Sequence, residues 1–398
     1  MTESLTKSST GKLGPGGAAV TVAGFAVNLI GYAVPLLGAR LLSSADLGAL
    51  AAVLALLAVA TVPALGLQTA LAVRWARDGQ VSNAARATVA TAAVTAGTLA
   101  VATPVISMGL HLSPVLPLLL MATTAAVVVG SRWLGQLQGT QRFGRLAVGM
   151  VLLAVARYGG VIAGLAAGAG VTGSLALGAA VAWLTLPVLV ALAGRAHPHA
   201  EGARLAGRDV AAASGATLAM LAISYADLIL ARHLLPPTQA GEYAVGAVLT
   251  KGALWAPQVV TILALPRLAQ GSRRALLAAL AVVAACGTVL VLAALLFGDV
   301  AIWFAGGPDY AGISGYSAGF AAVGALYALV FVLVNAEIAA RVRFPAAPLW
   351  VALAGLTVAA LLLDPPTLGR LLALSITTAA LTTVAMGVVV YRRPPAAD

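Results

Sequence analysis

Two cations sit inside long apolar stretches: Arg157 near the middle of one, Lys251 buried in another. At the centre of a bilayer an arginine costs about 2.5 to 3.5 kcal/mol on a translocon-type scale, so such a residue faces protein or water rather than lipid. Asp227 lies in the apolar stretch before that of Lys251. Two readings stay open. In one, Asp227 and Lys251 form an ion pair that neutralises two costly charges. In the other, Arg157 and Lys251 are ligands for an anionic substrate, and Asp227 accepts a proton or a cation. Two cations against one anion favour an anion-binding cavity. Asn28 and Gln68 add amides on the first two apolar stretches, where an amide bonds across helices or contacts a sugar.

Other chemistry is poorly supported. The single cysteine, Cys286, builds neither a disulfide framework nor a cysteine-based metal site, and it reads as a packing residue. His197 and His199 fall in a loop without the carboxylate or cysteine spacing that would complete a metal site. No Gly-Lys-Ser/Thr loop is present, so ATP hydrolysis by that device is excluded and no cofactor is expected. Energy for any uphill step is expected from an ion gradient or from substrate flow. Glu337 precedes Arg341 by four residues, the spacing of a helical ion pair.

The elements that must position these groups follow from composition. Of 398 residues 61% are hydrophobic and only 9% charged, against roughly a quarter charged in an ordinary soluble domain. Apolar stretches of about 20 residues, each long enough to span a hydrocarbon core, recur along the chain. They predict an all-α polytopic membrane protein of about twelve helices. The first six are Ala18 to Leu41, Leu47 to Val73, Ala87 to Leu110, Val115 to Leu134, Leu146 to Ala167 and Gly173 to Ala193. The second six are Val210 to Leu234, Gly241 to Leu265, Ala275 to Phe297, Ser317 to Ala339, Pro348 to Leu363 and Leu368 to Tyr391. The first run is too long for a signal-peptide core and reads as an uncleaved helix.

A net charge of +11 would suggest nucleic acid in a soluble protein, but here the cations follow the membrane. With the N-terminus in the cytoplasm, eighteen of the 23 Lys and Arg residues fall on inner segments and only Arg40, Arg232 and Arg370 on the outer side. That bias predicts an inner-membrane protein with both termini cytoplasmic. No nucleic-acid partner is expected. Short links leave no room for a soluble domain.

The chain also repeats itself. Ala39-Arg40, then Leu42, Gly48 and Leu50, recurs as Ala231-Arg232, then Leu234, Gly241 and Tyr243. Pro63 and Arg74 likewise correspond to Pro257 and Arg267. The expected organisation is a tail over 1–17, an N-lobe over 18–194, a linker over 195–209, a C-lobe over 210–391 and a tail over 392–398. Six helices per half is an even number, so the lobes share one orientation, related by a pseudo-two-fold along the membrane normal. Arg40 and Arg232, matched in this repeat, complete the list of candidate binding residues. Gly160, Gly164 and Gly168 form a small-residue stripe expected to let a helix approach closely. Pro35, Pro63, Pro104, Pro187 and Pro257 are expected to bend their helices.

Four segments resemble the polysaccharide-biosynthesis flippases of the multidrug/oligosaccharidyl-lipid/polysaccharide exporter superfamily. Arg40-Leu41-Leu42-Ser43-Ser44-Ala45-Asp46-Leu47-Gly48 is similar to that family's R-L-L-x-x-x-D-x-G signature, and Gln138-Gly139-Thr140-Gln141-Arg142-Phe143 to its Q-G-x-x-x-F segment. Asp227-Leu228-Ile229-Leu230 followed by Ala240-Gly241-Glu242-Tyr243 resembles its D-x-x-L and A-G-x-Y, and Pro266-Arg267-Leu268-Ala269 its P-x-x-A. The resemblance spans roughly Arg40 to Ala269. It implies two six-helix lobes around a central cavity. It also implies transfer of a polyprenyl-pyrophosphate-linked sugar across the membrane by alternating access, with Arg157 and Lys251 meeting the pyrophosphate. Membrane lipids, a proton or sodium ion as coupling ion, and glycosyltransferases or a polymerase of the same pathway are the partners this implies.

Other classes fit less well. A drug/cation antiporter of the same superfamily would need cavity carboxylates, for which only Asp227 is suitable. A major-facilitator carrier would carry a different loop from Arg74-Trp75-Ala76-Arg77-Asp78-Gly79. A membrane-embedded glycan polymerase or glycosyltransferase would need a sizeable outer loop with catalytic groups, and the outer loops here are short.

Overall fold

The computed structural model describes residues 15–194, 204–255, 273–340, 342 and 344–392. The first half holds α1 (Pro15–Leu41), α2 (Ser44–Ala60), α3 (Val62–Asp78), α4 (Ala84–Gly109), α5 (Val115–Gly139), α6 (Phe143–Ala154), α7 (Gly160–Ala166) and α8 (Gly170–Ala193). The second half holds α9 (Gly207–Leu234), α10 (Pro237–Trp255), α11 (Arg273–Leu296), α12 (Gly298–Gly306), α13 (Ser317–Ala339), α14 (Ala347–Leu361) and α15 (Leu368–Tyr391). Among the described residues ten spans are long and apolar enough to cross a membrane. Helices α10 and α14 take the places of the eighth and eleventh predicted spans. The chain is thus an all-α polytopic membrane protein with two six-helix lobes around a central cavity.

Three elements depart from the predicted helices. The second span is two helices, α2 and α3, meeting at Thr61. Pro63 has no N–H to carry the ladder through this point, and the Thr61 hydroxyl donates to the Leu57 and Ala58 carbonyls at 2.8 and 3.1 Å. The fifth span is interrupted by a π-helical turn over Val155–Gly159 between α6 and α7. A short helix, α12, and a 3-10 segment over Pro308–Tyr316 fill a link read as loop. Pro35, Pro104 and Pro187 lie within unbroken helices. Pro257, the Leu265 to Ala269 segment, His197, His199, Arg341 and the 1–14 part of the tail lie outside the described residues.

Helices in lipid gain little from hydrophobic burial against one another, so close contact falls to small residues. A Cβ added at Gly160 would lie 2.5 Å from the Leu177 carbonyl oxygen, and one at Gly164 would lie 2.4 Å from Ser174 Cα. The stripe therefore seats α7 on α8. Gly168 has no such neighbour and instead adopts a φ of +71° just beyond α7. In the second half, Tyr243 and Phe320 meet edge to face at 5.0 Å inside the largest apolar cluster.

The lobes touch mainly through α2, which packs on α9 and α10, and through α3 on α9. At the end where α2 and α10 begin, Gly241 lies so close to Ser44 that an added Cβ would stand 1.9 Å from the Ser44 carbonyl oxygen. Ser43 caps α2: its hydroxyl accepts from the Asp46 amide at 3.2 Å and donates to the Asp46 carboxylate at 2.9 Å. At the opposite end, Arg74 of α3 pairs with Asp209 of α9 at 3.1 Å.

Candidate functional site

A hollow of about 400 Å³ lies between the lobes, lined from α1, α2, α3, α5, α6, the π turn, α9 and α10. Its size falls in the range of about 300–1,000 Å³ usual for small-molecule sites. Arg157 and Lys251 both line it, one from each half, together with Asn28 and Gln68. Its wall contains no carboxylate among the described residues.

Arg157 is presented by the π-helical turn, an element that often marks functional positions. Its guanidinium lies 4.9 Å from the centre of the Tyr158 ring, and its Nε is buried without a hydrogen-bond partner. Lys251, from α10, is held within its own lobe: its ammonium donates to the Ser224 carbonyl and sits 3.5 Å from the centre of the Tyr225 ring. The Gln68 side chain donates to Gln138 Oε1 at 3.0 Å.

Of the two readings left open for Asp227 and Lys251, direct pairing is not seen: the two do not come within 4 Å of each other. Asp227 is 2% exposed and does not line the hollow. The Tyr243 hydroxyl donates to its Oδ2 at 3.0 Å, and the Leu228 amide to its Oδ1 at 2.8 Å. Asp227 turns into the second lobe, and Lys251 finds a carbonyl and an aromatic face instead.

Arg40 and Arg232 also lie away from the hollow. Each stands in the last turn of the first long helix of its half. The Arg232 guanidinium donates to the Leu110, Ala45 and His111 carbonyls at 3.0, 3.2 and 3.3 Å, all in the other half. Arg40 reaches the Phe304 carbonyl of α12 at 3.4 Å and lies 5.7 Å from the centre of a Trp303 ring. Both arginines bind backbone carbonyls across the lobe boundary; those of Leu110, His111 and Phe304 lie at helix or loop ends that leave acceptors unpaired.

Sequence reasoning missed the aromatic lining. Tyr32, Tyr158, Tyr225 and Trp255 all border the hollow, although aromatic residues make up only 5% of the chain. The one available signal was adjacency: Tyr158 follows Arg157, and Tyr225 stands two residues before Asp227.

No protein-family model matches the chain, and no curated protein matches it in sequence. Solved structures do match in fold. One is the inward-facing conformation of a multidrug resistance MATE family transporter of the MOP superfamily. It has a TM-score of 0.64 at 13% identity, over 92% of this chain and 94% of that one. Another is a eukaryotic MATE transporter, with a TM-score of 0.59 at 13% identity, over 95% of this chain and 94% of that one. At this identity the likeness establishes the fold.

Proposed function

We propose that the chain is a membrane transporter that moves a lipid-linked sugar, a precursor of cell-surface polysaccharide, between membrane leaflets by alternating access. The observation that carries this reading is the hollow itself: a cation from each lobe, Arg157 and Lys251, faces it, and no carboxylate does among the described residues. A phosphorylated headgroup there would replace water with two positive charges, while its prenyl tail stays in lipid. Asn28 and Gln68 offer amide contacts to the sugar. Lobes taken as 18–194 and 210–391 would rock about the hollow, with the charge bias placing both termini on the cytoplasmic side of the cytoplasmic membrane. A proton or sodium ion accepted by Asp227 would couple the cycle to a gradient. Glycosyltransferases or a polymerase of the same pathway would supply or consume the cargo.

Export of cationic drugs is the second reading, supported by the fold shared with a multidrug resistance transporter. The sign of the cavity separates the two, since a drug cation would meet Arg157 and Lys251 with no counter-charge on the wall among the described residues. The test is leaflet access in vesicles: the protein should expose a sugar-lipid in the opposite leaflet, and equal accessibility with and without it would end the flippase reading.

A further inference from the structure

Arg40 and Arg232, matched in the repeat, reach corresponding places in the opposite half. Arg232 donates to Leu110 and His111, in the link between the third and fourth predicted spans of the first half. Arg40 donates to Phe304 of α12, in the link between the third and fourth predicted spans of the second half. Each half is thus clasped by an arginine of the other, at the end where α2 and α10 begin. The clasps are unequal. Arg232 adds a bond to Ala45 of α2, its neighbour His233 lies against the Gly109 carbonyl, and only 8% of its own surface is exposed. Arg40 is exposed, and it holds α12 by one bond of 3.4 Å and by the Trp303 ring at 5.7 Å. A bond open to water is exchanged for one to water at little cost, whereas a buried carbonyl that loses its donor finds no such substitute.

The weaker clasp also crosses the hollow. Helix α12 packs on α1 and on α10. A Cβ added at its Gly306 would lie 2.7 Å from Val245 Cγ1, next to Ala244 of the hollow's wall. On α1, Arg40 stands about a turn and a half beyond Pro35, which lines the hollow. Helix α12 therefore lies beyond one end of the hollow, against a helix of each half.

We propose that Arg40 and α12 form a latch that releases when the lobes part at this end, with the Arg232 clasp as the hinge on which they turn. The assignment rests on the reading that the lobes move about the hollow to carry cargo. Equal clasps would open this end symmetrically; unequal ones direct the opening to the side of α1 and α12. Val300, Trp303 and Phe304 are exposed on α12, and a bilayer interface accepts such side chains before and after release.

The test is distance measurement by double electron-electron resonance on the full chain in lipid nanodiscs, in a Cys286→Ser background. Spin labels at Leu41→Cys and Val300→Cys report the latch, and labels at Ser113→Cys and Thr238→Cys the hinge; all four positions are exposed. Arg40→Gln, and Trp303→Leu as a second variant, should add a latch population longer by at least about 5 Å, the scale on which packed elements slip by one turn. Hinge distances should stay as in the parent. A latch distance unmoved by both substitutions, or a hinge distance that lengthens as much, overturns the assignment. Failure of the transport reading looks different: a latch that lengthens as stated in a protein that moves no sugar-lipid keeps the latch, whereas sugar-lipid movement with an unmoved latch keeps the transporter and removes the latch.

Discussion

Gly48 and Gly241 stand at matching places in the two halves and touch each other: a Cβ added at Gly48 would lie 3.0 Å from the Gly241 amide nitrogen. At this end of the bundle the lobes meet on a contact between repeat-related residues. Arg232 spans the same end, reaching from the second half to carbonyls of the first.

Gly241→Val places a branched side chain against the Ser44 backbone, where no flexible neighbour can yield. Overpacking of this kind costs about 1–3 kcal/mol. The lobes should part at this end. In a Cys286→Ser background, a cysteine placed at Ser44 should react faster with a maleimide in the Gly241→Val protein than in the parent. Equal rates would mean that the contact does not hold the lobes together here.

Arg232 and Arg40 occupy equivalent helix ends but differ in burial. Arg232 is 8% exposed and serves three carbonyls, while Arg40 is exposed and makes one longer bond. Arg232→Met should therefore lower stability by about 1–3 kcal/mol, since it strands the buried Leu110 carbonyl, and Arg40→Met by less than about 1 kcal/mol. Thermal unfolding in detergent measures both. Similar losses would contradict the asymmetry.

The Asp227 carboxylate depends on Tyr243, whose hydroxyl also lies 3.5 Å from Ser375 Oγ of α15. Tyr243→Phe should cost about 1–3 kcal/mol by leaving a buried acceptor short of a donor. Combined with Asp227→Leu, the loss should be smaller than the sum, because the stranded group is then gone. Additivity within about 0.5 kcal/mol would show that the bond carries no weight.

The fold was largely legible in hydropathy, and the boundaries of α13 and α15 follow the apolar runs residue for residue. The signature residues were legible too, but their work is architectural. Ser43 and Asp46 cap α2, Gly48 and Gly241 form the lobe contact, and Tyr243 holds Asp227. The π turn at Arg157 was invisible, because hydropathy does not distinguish i→i+4 from i→i+5 bonding. Arg40 and Arg232 looked like cavity groups for a related reason: sequence shows that a cation sits near a helix end, not which carbonyls it meets. Asp227 and Lys251 were legible as opposite charges in neighbouring helices, but not their hydrogen-bond partners, a tyrosine hydroxyl and a backbone carbonyl.

The proposed transport requires two cations serving one anionic headgroup between the lobes. The most direct measurement is sugar-lipid exposure in vesicles carrying the parent chain, Arg157→Ala or Lys251→Ala, each reconstituted at equal density. Exposure should fall at least tenfold for Arg157→Ala and by a smaller factor for Lys251→Ala, with insertion unchanged. Parental rates in both variants would contradict the claim that this hollow carries the substrate.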